Sequence, residues 1–170
     1  KVTIYDGDDP AMPMWMVFND NTVNSFIGAM MLSARSDTNI LMLNGVFCAG
    51  STSAYHDGLT IISLLEDSAS KYMSDGVRFS PKNVSGRNET GHYDAVGDSV
   101  TRLVNNKVND VAMTVLPNAP IDADTGLPVP TIAVATDGGV SVIKDDGTVH
   151  SLAGGAIETI SINDRHEFIT

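Results

Sequence analysis

The chain has 170 residues, 42% of them hydrophobic, enough for one domain with a real core and too few for two comfortable ones. Ten Lys and Arg stand against 21 Asp and Glu, a formal charge of −11, so the clustered cations that bind a polyanion are scarce and nucleic acid is excluded as the expected partner. The single cysteine, Cys48, excludes an intramolecular disulfide and a cysteine-based metal cluster, and no cofactor is expected.

In chain order, the sequence opens on Lys1 rather than Met, which suggests a processed form or a piece of something longer. Residues 2–6 and 14–18 read as two extended runs across an Asp-Asp-Pro turn. Residues 19–39 are polar at their ends, and the apolar run 27–32 is too short for a span, so no membrane insertion is expected. Residues 40–43 and 46–50 flank Asn44-Gly45, a dipeptide suited to two-residue turns because both central positions take positive φ. Residues 59–63 and 69–73 form the next pair, with Cys48 and its apolar neighbours implying a buried, inert thiol.

Residues 74–107 are long, polar and rich in Gly, Ser and Asn, as an insertion that is functional, locally structured or mobile. Within them Val100, Leu103 and Val104 are spaced as one helical turn. Residues 111–115 and 131–135 pair through a connection containing Pro117, Pro120, Gly126 and Pro128. From residue 130 to 152, alternating runs divided by Asp137-Gly138-Gly139 and Asp145-Asp146-Gly147 read as a three-stranded meander. Residues 157–162 and 167–170 form a last pair.

Three of these hairpins share one pattern, beginning at Val2, Leu59 and Val140, and a second hairpin type precedes the later two. The expected fold is therefore all-β, built of four-stranded antiparallel β-propeller blades, with an ordinary β-sandwich as the competing arrangement. The expected boundaries are a half blade at residues 1–18, a blade at 40–73, the insertion 74–107, a blade at 108–152 and a half blade at 157–170. Two complete and two half blades make a partial propeller: a trimmed piece of a larger ring, or a unit completed by another copy.

No catalytic motif stands out. The four histidines are scattered without metal-ligand spacing, and no Gly-x-Ser-x-Gly elbow is present. Asp122 and Asp124 sit on a turn in the manner of a calcium loop, without its full spacing, and Asx-turn capping competes with that role. Trp15, Phe18, Tyr55, Tyr72 and Tyr93 are candidate sugar-stacking rings, with core packing the expected fate of Trp15 and Phe18. Tyr55, His56, His92 and Tyr93, in polar turns, are the candidate ligand-binding residues. Asp57, Asp94 and Asp137 are the carboxylates that a carbohydrate-active enzyme could use.

Residues 9–18, 43–45 and above all 108–122 running into 131–147 resemble propeller-type repeat segments of tail or other virion structural proteins of tailed bacteriophages, particularly marine ones. The resemblance implies a noncatalytic structural or host-adhesion module, virion-borne or extracellular. Its partners would be further copies or other chains that complete the propeller or virion, with a host-surface glycan as ligand. The alternatives are a secreted carbohydrate-active propeller enzyme and a protein-binding propeller scaffold, the latter lacking the Trp-Asp signature.

Overall fold

The computed structural model describes residues 2–18, 28–29, 37–52, 58–80, 83–91, 94–96 and 101–170. Among the described residues sixteen strands follow one another: β1 (Val2–Tyr5), β2 (Met14–Phe18), β3 (Gly28–Ala29), β4 (Asp37–Leu43), β5 (Val46–Ser51), β6 (Leu59–Ser63), β7 (Ser68–Met73), β8 (Gly76–Phe79), β9 (Thr90–Gly91), β10 (Asp94–Val96), β11 (Val108–Thr114), β12 (Thr131–Thr136), β13 (Gly139–Ile143), β14 (Val149–Ala153), β15 (Ser161–Ile162) and β16 (Phe168–Ile169). A six-stranded antiparallel sheet runs in the order β10-β8-β7-β6-β5-β4, and a four-stranded one in the order β11-β12-β13-β14. The pairs β1-β2, β3-β9 and β15-β16 form two-stranded sheets of their own.

Strand alternation sends each large sheet's side chains into two cores. Cys48, Leu59 and Tyr72 meet Val111, Ile132, Val134 and Ile143 between the two large sheets. The opposite face of the six-stranded sheet, through Phe47, Ala49, Ile62 and Ala69, takes Phe18 and the inward residues Val2, Ile4 and Met16 of β1-β2. The opposite face of the four-stranded sheet, through Ala112, Ala133 and Ala135, takes Ile157, Ile160 and Ile162. The result is an open row of four layers. Burial on both faces explains why β12 is apolar almost throughout, with all six residues buried.

The two large sheets repeat each other in register. Pairing shifts between Asp37 and Asn39 in β4, opposite Ser51 and Gly50, and between Val108 and Asp110 in β11, opposite Thr136 and Ala135. From these bulges onward both sheets pair residue for residue through four strands. The bulges also join the layers. Asn39 Nδ2 and the Val111 N–H donate to Asp110 Oδ1, and the Ile160 N–H donates to Oδ2 at 2.8 Å. Gly50 is needed at this junction, because a Cβ there would lie 2.5 Å from Val108 Cγ1.

The propeller expectation is corrected by this topology, and with it the picture of a propeller-type tail segment. Among the described residues no sheet is closed or curled on itself, and the sheets hold six, four and two strands in place of uniform four-stranded blades. Two physical reasons account for the difference. The insertion contributes strands: Gly76 (φ 132°) turns the chain back after Met73, Arg78 clips the turn by pairing with both oxygens of Asp75, and Val77 is buried. The terminal hairpins pair only within themselves among the described residues, so the half blades at 1–18 and 157–170 do not combine into one blade.

Other expectations fall differently. Asn44 (φ 50°) and Gly45 (φ 74°) adopt the two-residue turn read from their dipeptide. Phe18 is buried and stacks on Phe47, with ring centroids 5.8 Å apart. Trp15 is 57% exposed, a correction to its expected core position. It alternates out of phase with Ile4, Met16 and Phe18, the residues that face the core. Leu103 is buried in the core between the large sheets, its N–H donating to the Met73 carbonyl.

Candidate functional site

A cleft of about 210 Å³ opens at one end of the seam between the two large sheets. Its floor is apolar, made by Val46 and Ile61 from the first sheet and Ile132 and Ile143 from the second, with Tyr72 among them. The rim comes from three turns: Leu65 and Glu66 after β6, Asp122 to Pro130 before β12, and Lys144 to Gly147 after β13.

Local chemistry builds each part of the rim. In the connection before β12, Asp122 Oδ1 accepts the N–H groups of Thr125 at 2.8 Å and Asp124 at 3.2 Å, which makes an Asx turn. Gly126 (φ 68°) returns its N–H to the Asp122 carbonyl, and an Ile121–Pro128 bridge closes the loop. Asn44 Nδ2 then donates to the Pro128 carbonyl at 2.8 Å, fastening this loop to the β4-β5 turn. After β13, Asp146 Oδ1 accepts from the Thr148 N–H at 2.9 Å and from its hydroxyl. Ser63 Oγ accepts the Glu66 N–H at 3.1 Å, fixing the third turn.

These bonds set the charge states. Hydrogen bonds from Thr125 hold the Asp122 carboxyl below the usual carboxylate range, and those from Thr148 do the same for Asp146. Tyr72 is shifted the other way, upward, first by burial and then by the negative charge of Asp146. It is therefore a neutral phenol at ordinary pH. A Cβ on Gly147 would come 3.5 Å from its hydroxyl, so the turn after β13 lies beside that hydroxyl.

Tyr55, His56, His92 and Tyr93, the candidate ligand-binding residues, lie outside the described residues. So does Asp57, and the side chain of Asp94 is likewise outside them. Asp122 and Asp124 share one turn, with Asp122 on the cleft rim and engaged by backbone N–H groups. Among the described residues, no cluster of three or more His, Cys, Asp or Glu is arranged to hold a metal ion. Asp137 is not part of the cleft lining and is occupied: Lys107 Nζ and Asn109 Nδ2 each donate to it at 2.8 Å, and both interactions lower its pKa. Cys48 is fully buried, and desolvation pushes its thiol far up. His166 Nδ1 lies 3.2 Å from the Thr114 hydroxyl.

Sequence reasoning includes Tyr72 only as one of five candidate stacking rings and does not connect it with Glu66 or Asp145. Their sequence separations hide the convergence, since the cleft exists only where two sheets with matched registers meet. The paired signal available was the pattern shared by residues 59–73 and 140–152, which brings equivalent turns to the same end of the stack. Comparison with family models, with curated proteins and with solved structures returns no match.

Proposed function

We propose that this chain is a noncatalytic structural or host-adhesion module of a phage virion, acting outside cells alongside further copies or other chains. The observation that supports a noncatalytic role is the engagement of two carboxylates, Asp122 and Asp137, by hydrogen-bond donors. Asp122 and Asp137 are engaged by donors that lower their pKa, whereas a glycosidase's general acid needs its pKa raised so that it carries a proton at working pH. The stacked sheets supply a stiff scaffold, and the turns around the cleft supply a contact surface. The virion setting is supported by the likeness of residues 108–147 to phage virion segments and by nothing in the sheet topology.

The test is incubation of the purified chain with a panel of bacterial polysaccharides, followed by measurement of newly released reducing ends. No release above the heat-denatured control is expected. Robust release, abolished in an Asp137→Asn variant, overturns the reading in favour of a carbohydrate-active enzyme.

A further inference from the structure

We propose that the cleft between the two large sheets binds the side chain of a lysine or arginine presented by a basic peptide segment. The inference rests on the adhesion reading above and names the ligand of that surface.

Three independent features of the cleft converge on such a group. The first is its floor: Ile61, Ile132 and Ile143 form an aliphatic base that suits a methylene stem, as long basic side chains lay their stems on apolar surface and keep the charged end in a polar setting. The second is the sign of the rim, where Glu66, Asp122 and Asp145 stand against Lys144 alone, three carboxylates to one ammonium. The net charge of −11 adds a long-range attraction for a basic partner.

The third feature is Tyr72. It is only 8% exposed and lines the cleft, yet its hydroxyl makes no hydrogen bond to any described residue. Among the described residues no buried side-chain polar atom is left unsatisfied, so the ring is buried while its hydroxyl opens on the cleft, where a ligand can reach it. Burial keeps this phenol neutral, so its oxygen can accept an N–H while the ring face attracts a cation. A ligand with N–H donors and positive charge satisfies the ring, the hydroxyl and the rim together.

Size and wall chemistry separate this ligand from a glycan. The volume of about 210 Å³ is below the roughly 300–1,000 Å³ of sites for drug-sized molecules, which suits one long side chain better than an oligosaccharide. Sugars are held by aromatic platforms and a dense set of free polar groups. Here one ring lines the cleft, and the Ser63 hydroxyl and Asp122 Oδ1 already accept backbone N–H groups.

The experiment titrates the full chain with the peptide acetyl-Gly-Gly-Lys-Gly-Gly-amide, its norleucine counterpart and free glucose and galactose, following the methyl NMR signals of Ile61, Ile132 and Ile143. The lysine peptide is expected to shift these signals saturably, and the norleucine peptide to bind about tenfold more weakly, the size of one charge-assisted hydrogen bond. The double variant Glu66→Gln, Asp145→Asn should weaken lysine-peptide binding about fivefold. Tyr72→Phe should weaken it severalfold while leaving the remaining methyl spectrum folded; if that variant unfolds, the rim variant alone carries the test. Equal binding of the norleucine peptide, an unchanged affinity in the rim variant, saturable binding of either sugar at the same methyls, or no shift up to about 20 mM lysine peptide each overturns the proposal. None of these results touches the polysaccharide assay, so failure here is distinct from failure of the noncatalytic reading.

Discussion

Gly139 has φ 121°, and a Cβ on it would lie 2.1 Å from the Leu152 carbonyl oxygen. Both the backbone conformation and the close approach of β14 exclude a side chain, so Gly139→Ala should lower stability by about 3 kcal/mol, read from the urea midpoint. The glycine turn was legible in Asp137-Gly138-Gly139; the position that needs glycine is set by the strand packed against it. Asp137 illustrates the same division. Its place in a turn was visible, but its bonds to Lys107 and Asn109 arise between distant segments. Its folded pKa is depressed by the Lys107 hydrogen bond, then by Asn109, so its stabilising contribution is present above the unfolded value of about 3.9 and is lost as pH falls through the folded value. Lys107 is raised by the same partner, so its contribution is present below about 10.4 and lost as pH rises through its folded value. Asp137→Asn should therefore shrink the drop in urea midpoint between about pH 5 and pH 3. Cys48, buried and protonated, should resist a thiol reagent in the native state and react on unfolding. Rapid native labelling would contradict that placement.

At the scale of elements, the first hairpin shows how a strand's alternation decides the fate of its residues. Phe18 buries its ring against Phe47, and the Arg87 guanidinium lies 5.8 Å from its centroid while Arg87 Nε donates to the Val17 carbonyl. Phe18→Ala should cost about 3–5 kcal/mol, with a cavity left between β1-β2 and the six-stranded sheet. Trp15→Ala, on the exposed side of β2, should change stability by no more than about 0.5 kcal/mol. Equal losses in the two variants would contradict the register. The strand pairs themselves were largely readable, since β5 to β7 and β12 to β14 carry apolar runs with turn residues between them. Strands β8 and β10 were not, because they lie in a stretch whose Gly, Ser and Asn content reads as loop. They pair because β7 offers an open edge and the Asp75–Arg78 turn delivers β8 to it.

For the molecule as a whole, the charge of −11 makes self-repulsion a general destabilising force in the compact state. Raising sodium chloride from about 0.05 to 0.5 M should increase the thermal midpoint by a few degrees through screening. A flat or falling midpoint would show that local pairs outweigh the global field. Salt should act oppositely on the cleft, weakening a basic peptide as it stabilises the fold, so one titration separates the two roles of the same charge.

The sequence by itself determined the all-β class, the hairpin turns, the burial of Cys48 and the likeness between the two large meanders. These are local properties, carried by alternation and by residues that tolerate positive φ. The tertiary structure alone decided how many strands each sheet holds, that the layers form an open row with separate terminal hairpins, and that Tyr72, Glu66, Asp122 and Asp145 share one cleft. The reason is that hairpin pattern is written within a few neighbouring residues, whereas edge pairing, layer stacking and the meeting of distant turns depend on which buried faces find each other. The candidate residues Tyr55, His56, His92 and Tyr93 rest on local polarity, whereas the cleft follows from packing.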